Sequence, residues 1–297
     1  MNDPARLMRL ATYAATFAAL VLIAAKLWAW TATGSVAILT TLTDSILDAA
    51  ASLVNLFAVR FSLLPADHDH RFGHGKAEPL AGLTQAAFIA GSGVLLLIES
   101  SGRFLEPEPV THSEIGIGVM IFSIVITLAL VSFQKYVIKK SNSVAITADS
   151  LHYTGDVLIN FAVIISILIG VYLGWLWIDP LFGSLIACYL IYNAWQVARE
   201  SLDLLMDKEF SREERRLIET IAHTPPEVLD VHDLRTRSSG RQRFIQLHLV
   251  MDGSFTLTKA HDIADAVERE IQAAFPEADV IIHQDPAGID EVHPKFE

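Results

Sequence analysis

The sequence predicts a polytopic α-helical membrane protein with six transmembrane helices, followed by a C-terminal α+β domain. The chain of 297 residues is 52% hydrophobic, and its apolar residues are concentrated in the first two thirds. Six apolar segments there reach the ~20 residues needed to cross the hydrocarbon core of a bilayer. The remainder is polar and shows helical and strand periods. We therefore expect a six-helix transmembrane domain at 1–206 and a soluble domain at 207–297.

The spans are separated by short polar breaks, and the Lys and Arg residues in those breaks predict the orientation. Cytoplasmic loops carry an excess of these residues. Lys and Arg flank the N-terminus, the second and fourth loops and the end of the sixth span, whereas the first and fifth loops have none and the third has only Arg103 at its edge. Both termini are thus predicted to be cytoplasmic. The predicted spans are 9–32, 35–63, 79–104, 115–137, 144–174 and 179–205.

The soluble tail is predicted to have the order helix, strand, strand, helix, strand. Ser211 and Glu214 form a capping-box pattern that starts the first helix. Ser239-Gly240 between two strand patterns indicates a hairpin, an apolar helical period follows at 258–275, and a short apolar run indicates the last strand. This αββαβ order predicts a small sandwich with helices on one face of a sheet.

Composition limits the partners and the metal chemistry. The tail carries 19 Asp and Glu against 11 Lys and Arg, a balance that argues against nucleic acid as a partner. Cys188 is the single cysteine of the chain. Disulfides and cysteine-rich zinc sites are therefore excluded, and a bound metal would be held by His, Asp and Glu.

Two pairs of metal-ligating residues lie inside apolar spans: Asp44 with Asp48 in the second, and His152 with Asp156 in the fifth. A carboxylate at the bilayer centre costs roughly 2.5–3.5 kcal/mol, so such residues are functional candidates. A spacing of four residues puts each pair on one helix face. The two spans run in opposite directions, so both pairs can reach one depth. Packing through interhelical hydrogen bonds is the alternative, and it is less favoured for two matched pairs.

The mixed ligand set suits zinc, because one imidazole disfavours the all-oxygen shells of Mg²⁺ and Ca²⁺. Metal ligands must be deprotonated, so protons compete with the metal for the same side chains. Exchange of a metal ion for protons is therefore a natural way to drive transport across the lipid bilayer.

The second loop contains a dense group of carboxylates and imidazoles: Asp67, His68, Asp69, His70 and His74. Such a group can bind a metal, but a loop can also carry it for solvation. The neighbouring Phe72-Gly73 and Gly75 give the backbone freedom to wrap an ion.

Other residues of the spans are interpreted structurally. Lys26 near the outer end of the first span is expected to snorkel. Asp149, one turn before His152, is expected to cap or solvate its helix near the interface. Gly91 and Gly93 are expected to permit close helix packing.

Five motifs stand at 43–48, 65–78, 148–156, 231–238 and 279–286. They resemble those of the cation diffusion facilitator family, and closely those of its bacterial members. The resemblance implies a transport site of Asp44, Asp48, His152 and Asp156, a loop site of Asp67, His70 and His74, and a binuclear tail site. That third site would use His232, His248, His261, His283 and the bridging Asp285.

The resemblance also implies how the protein works. It implies a homodimer in the bacterial inner membrane, a metallochaperone-like fold for the cytoplasmic tail, and an interlock between Lys76 and Asp207. The expected activity is efflux of Zn²⁺, with Cd²⁺ and Fe²⁺ as further candidates, by proton antiport with alternating access. Zn²⁺ would be both the transported and the structural or regulatory ion, and no organic cofactor is expected.

Two other classes of protein are alternatives to a transporter. A metal-gated channel or membrane metal sensor would share every ligand, and only proton-coupled flux against a gradient separates it from an antiporter. An intramembrane protease is least favoured. The chain has no His-Glu-x-x-His, and a Gly-x-Ser-Gly motif would need glycine where Ala90 stands. We therefore expect a secondary active transporter and not an enzyme.

Overall fold

The computed structural model describes residues 3–34, 36–105, 114–175 and 177–288. The chain divides into two units, Met1–Leu202 and Asp203–Glu297. The sequence-based boundary after residue 206 stays a prediction, and the last nine residues of the predicted soluble domain lie outside the described part of the chain.

The membrane unit is built from six helices, each long and apolar enough to cross a bilayer, as the sequence predicts. The first helix begins at a cap in which the Asp3 carboxylate accepts a hydrogen bond from the Ala5 amide, and it ends at Gly34, whose φ of 64° is left-handed. The helices are α1 (Pro4–Thr33), α2 (Val36–Ser62), α3 (Ala77–Leu105), α4 (Glu114–Ser141), α5 (Val144–Leu173) and α6 (Ile178–Leu205).

Buried side chains from four helices hold α2 beside α5. Met8 of α1, Val59 of α2, Val137 of α4 and Ile146 of α5 are fully buried in one apolar cluster. Close packing of this kind fixes the rotation of each helix about its axis. It therefore determines which side chains of α2 face those of α5.

A buried hydroxyl pair ties the same helices together beside the first metal-ligand candidates. The Tyr153 and Ser52 hydroxyls are 2.8 Å apart, and the Tyr153 hydroxyl also donates to the Ala15 carbonyl of α1 at 3.4 Å. Asn55 of α2 donates to the Ala145 carbonyl of α5 at 3.4 Å. Buried polar groups with partners specify one register between helices.

Of the two glycines of α3 predicted to permit close packing, the structure supports one. A Cβ added at Gly93 would lie 2.8 Å from Ile191 Cγ1 and 3.3 Å from the Ala187 carbonyl oxygen of α6. Among the residues that the structure describes, a Cβ at Gly91 would meet nothing within 4 Å. The prediction was wrong for Gly91, because the two residues lie on different faces of the same helix.

The soluble unit has the predicted αββαβ order. The strand order is β1-β2-β3, with β2 antiparallel to β1 and parallel to β3. The Ser211 hydroxyl and the Glu214 carboxylate form the expected capping box. The elements are α7 (Arg212–Ala222), β1 (Asp230–Ser239), β2 (Gln242–Met251), α8 (Leu257–Ala274) and β3 (Ala278–Pro286).

The core of this unit lies between the helices and one face of the sheet. Ile245, Leu247 and Leu249 alternate along β2 and are buried together with Ile218 of α7 and Ile271 of α8. Successive strand residues point to opposite faces. The even-numbered positions of β2 therefore face away from the helices, and His248 is one of them.

Candidate metal centres

The first candidate centre joins α2 to α5 within the membrane unit. The His152 Nε2 atom lies 2.9 Å from Asp48 Oδ1 and 3.8 Å from Asp156 Oδ2. One ligand atom from each of these residues lies within 4.8 Å of the others. All three residues are half-buried. The imidazole thus stands between two carboxylates at a place where a single ion could contact all three.

Asp44 lies outside this group of three. It is exposed, one turn from Asp48 toward the N-terminus of α2, and interacts electrostatically with Asp48. Its part in the ligand set stays a prediction. The helix spacing places Asp44 on the face of Asp48, but contact with α5 depends on the angle between the two helices.

Asp149 does not lie where the sequence interpretation put it. It is buried, and Gln134 Nε2 of α4 donates a hydrogen bond to Asp149 Oδ2 at 2.7 Å. The expectation of a solvated cap near the interface was wrong, because a residue from another helix supplies the partner. Gln134 itself was missed, and the available signal was a polar side chain within an apolar span.

The second candidate centre is the loop between α2 and α3. Asp67, His70 and His74 each bring one ligand atom within 4.8 Å of the others. Asp67 lies 3.3 Å from His70 Nδ1 through Oδ1 and 3.3 Å from His74 Nε2 through Oδ2. His68 and Asp69 are exposed and outside the group. One carboxylate and two imidazoles are donors that zinc accepts.

Burial fixes one member of the loop centre. The His74 side chain is 3% exposed, and its ring packs edge-on against Phe61 at 4.5 Å between centroids. Among the described residues, the buried His74 Nδ1 atom has no hydrogen-bond partner. The ring is therefore held by packing, with Nε2 directed at Asp67.

Two backbone amides stabilise the ionised form of Asp67, which is the form that binds a cation. The amides of His70 and Asp69 donate to Asp67 Oδ1 at 2.7 and 3.0 Å, and they hold the pKa of this carboxyl below its ordinary value of 3.8. A carboxyl whose pKa is lower in the folded than in the unfolded protein stabilises the fold at pH values above its unfolded-state pKa. This stabilisation is lost as the pH falls through its folded-state pKa. Asp67 is thus ionised at neutral pH, and this contribution disappears only below 3.8.

The third candidate centre is a row of histidines across the sheet of the soluble unit. His232 of β1 is paired with His248 of β2, which is paired with His283 of β3. Asp285 Oδ2 lies 2.9 Å from His248 Nδ1 and 3.2 Å from His232 Nε2, and Asp285 Oδ1 lies 3.0 Å from His283 Nε2. Both carboxylate oxygens face imidazoles, which fits a ligand shared between ions.

His261 stands apart from that row. It lies on α8, is 63% exposed at the side chain, and has Asp265 Oδ1 at 3.9 Å. The ligand atoms grouped within 4.8 Å in this unit are those of His232, His248 and Asp285. The role of His261 as a ligand stays a prediction. So does the Lys76–Asp207 interlock, whose residues belong to different units.

Comparison with known proteins accounts for nearly the whole chain. Residues 12–206 match the family model described as the cation efflux transmembrane domain, and 210–287 match the cation efflux protein cytoplasmic domain. The chain is 47% identical over 283 residues to the cation-efflux pump FieF of Shewanella oneidensis, covering 95% of each protein. It is 46% identical over 284 residues to FieF of Klebsiella pneumoniae, covering 96% of this chain and 94% of that protein.

Solved structures match the soluble part. The metal-bound C-terminal domain of the CzcD transporter from Thermotoga maritima is 27% identical, with a TM-score of 0.26, and the match covers 28% of this chain and 100% of that one. The transmembrane-domain match lies across the six membrane helices, and the cytoplasmic-domain match lies across the αββαβ tail. The chain belongs to the cation efflux family, also called the cation diffusion facilitators, and is of its FieF type.

Proposed function

We propose that this protein is a proton-coupled antiporter that exports Zn²⁺ from the cytoplasm through a site formed by Asp44, Asp48, His152 and Asp156. The observation that carries the proposal is the convergence of Asp48, His152 and Asp156, from two membrane helices, within 4.8 Å. Ionisable side chains are costly to place inside membrane-spanning helices, and those found there usually have a function. Two carboxylates and an imidazole that converge from two helices therefore favour a binding site over simple packing. Membership of a cation efflux family supports the same activity.

The position of His152 supports exchange of metal for protons. Its Nε2 atom lies 2.9 Å from one carboxylate and 3.8 Å from the other, so the group that would bind the ion can instead hold a proton between Asp48 and Asp156. Metal binding requires that this proton leave. The same three side chains therefore alternate between two occupants, and the membrane unit would expose them first to the cytoplasm and then to the outer side.

The choice of ion follows from the donor set. Imidazole and carboxylate together suit zinc and cadmium better than manganese or magnesium, and Fe²⁺ accepts the same donors. Geometry and metal availability set selectivity in the cell more than intrinsic affinity does. From the donor set we place Zn²⁺ first, with Cd²⁺ and Fe²⁺ as further substrates.

The soluble unit is proposed to join two copies of the chain in the inner membrane, with both termini in the cytoplasm. The match to a domain named for dimerisation supports a homodimer. Zn²⁺ held by the loop centre and the histidine row would favour one conformation of the dimer over another. A ligand shifts such an equilibrium only by its difference in affinity for the two states.

The test is metal flux in proteoliposomes that contain a metal-sensitive dye. Wild-type protein is compared with Asp156→Asn, which keeps the shape of the side chain and removes its charge. Thr154→Ala is the matched control, because Thr154 lies on the same helix and its hydroxyl donates to the Ser150 carbonyl at 2.7 Å. We expect flux for the wild type and the control and none for Asp156→Asn. Equal flux in all three would refute the site.

A further inference from the structure

Lys26 brings a positive charge to the helix that carries half of the transport site. Its Nζ atom donates to the Ser45 hydroxyl at 2.6 Å and to the Thr41 carbonyl at 3.1 Å. Ser45 is 2% exposed, and Lys26 is half-buried. The expectation that Lys26 snorkels toward the interface was wrong, because the side chain instead crosses from α1 to α2.

The tether holds the ammonium group beside the stretch of α2 that carries Asp44 and Asp48. Ser45 follows Asp44 directly and precedes Asp48 by less than one helical turn. Lys26 interacts electrostatically with Asp156, Asp48 and Asp44. A single cation of the protein therefore acts on three carboxylates of the proposed site, from both α2 and α5.

We propose that Lys26 is a tethered cation that weakens binding of the divalent ion at the transport site and so promotes its release. This inference rests on the proposed function. A fixed positive charge repels an ion of the same sign and attracts the carboxylates once the ion has left. It destabilises the loaded site and stabilises the empty one. Transport needs this balance, since an ion must be held firmly enough to enter and weakly enough to leave.

The contacts of Lys26 differ from those of a snorkelling lysine. A snorkelling lysine places its charge in water and its stem along apolar surface. Lys26 is half-buried, and its ammonium group instead donates hydrogen bonds to two oxygen atoms of α2. It also interacts electrostatically with three carboxylates. Intramembrane charges are costly, and they are retained where they pair with other charges or with backbone carbonyls.

The test compares Lys26→Met with Lys26→Arg in the full-length protein. Methionine keeps an unbranched apolar stem without charge, whereas arginine keeps the charge. Both are made with His74→Ala and Asp285→Ala, so that Zn²⁺ titration in detergent reports on the membrane site. We expect Lys26→Met to bind Zn²⁺ about tenfold more tightly, equivalent to ~1.4 kcal/mol. In proteoliposomes it should show a lower KM together with a lower kcat.

Arginine should keep the affinity and both flux parameters of the parent protein that carries Lys26 together with His74→Ala and Asp285→Ala. Unchanged affinity and KM in Lys26→Met would overturn the proposal, and so would an arginine variant that behaves like the methionine one. If Lys26→Met is not monodisperse, Lys26→Gln takes its place. Failure of both neutral variants to fold, beside a folded arginine variant, would assign Lys26 a structural role and also overturn the proposal.

The outcomes separate this proposal from the function on which it rests. Wild-type protein that binds Zn²⁺ but does not move it would contradict transport, whatever Lys26 does to affinity. Normal wild-type flux with an unaffected methionine variant would contradict the role of Lys26 alone.

Discussion

Replacing Asp285 by Asn tests whether the histidine row of the soluble unit binds metal. The substitution keeps the size of the side chain and removes a charge shared by His232, His248 and His283 at 2.9–3.2 Å. The Asp285 side chain is only 8% exposed, so water replaces little of what is lost. Truncating one partner of a buried charge pair costs roughly 2–5 kcal/mol, and we expect binding to weaken about 100-fold.

The expected change in Tm follows from the free energy of Zn²⁺ binding and the number of residues in the soluble unit. A ligand present at about 100 times its Kd stabilises the folded state by ~2.7 kcal/mol, and one present at its Kd by ~0.4 kcal/mol. In a domain of about 60–100 residues, 1 kcal/mol shifts Tm by roughly 4–8 °C. Zn²⁺ should therefore raise the Tm of the wild-type unit by roughly 11–22 °C, and that of Asp285→Asn by only about 2–3 °C.

The assay is thermal unfolding of the soluble unit, Asp203–Glu297, followed by circular dichroism with and without Zn²⁺. The metal-induced difference in Tm is compared, so that any change in the metal-free protein cancels. Asp279→Asn is the matched control, because Asp279 lies on the same strand and is exposed. An equal Zn²⁺-induced shift in Asp285→Asn and wild type would refute the reasoning.

Three further predictions concern the loop centre and the helix packing. Asp67→Asn should weaken Zn²⁺ binding to the loop at least about tenfold by calorimetry, because it removes the charge that faces both imidazoles, whereas Asp69→Asn should not. Gly93→Ala should destabilise the membrane unit by about 1–3 kcal/mol in denaturant unfolding, because its Cβ overlaps α6, whereas Gly91→Ala should not. Gln134→Leu should destabilise it by about 1–3 kcal/mol, because a buried carboxyl on α5 loses one of its hydrogen-bond donors.

Each of these predictions has a clear counter-result. Loop binding that is lost equally in Asp67→Asn and Asp69→Asn would show that general negative charge attracts the ion. Equal destabilisation by both glycine substitutions would mean that the close approach of α3 to α6 is absent in the membrane. A Gln134→Leu protein of unchanged stability would show that its partner carboxyl finds another donor or is protonated.

Much of the fold follows from local chemistry. The number of spans follows from apolar length, although α1 begins five residues before the predicted span and α4 ends four residues after it. The tail order follows from periodicity and from the Ser211–Glu214 capping box. These features depend on residues close together in the chain. They could therefore be predicted without knowledge of packing.

The site could be predicted only in part, because contacts between helices depend on their rotation and crossing angle. Spacing placed Asp44 with Asp48, yet only Asp48 approaches His152 of α5. Lys26 and Asp149 were assigned to the interface, because their partners lie on other helices. No rule of spacing within one helix could have identified those partners.

Uphill movement of Zn²⁺ driven by a pH gradient tests the central claim most directly. Proteoliposomes that contain the wild-type protein start with equal Zn²⁺ on both sides, and a pH difference is then imposed. The account predicts that Zn²⁺ accumulates on the acidic side, that reversing the gradient reverses the flux, and that Asp48→Asn abolishes both movements. Zn²⁺ flux that only runs down its own concentration gradient, whatever the pH difference, would contradict it.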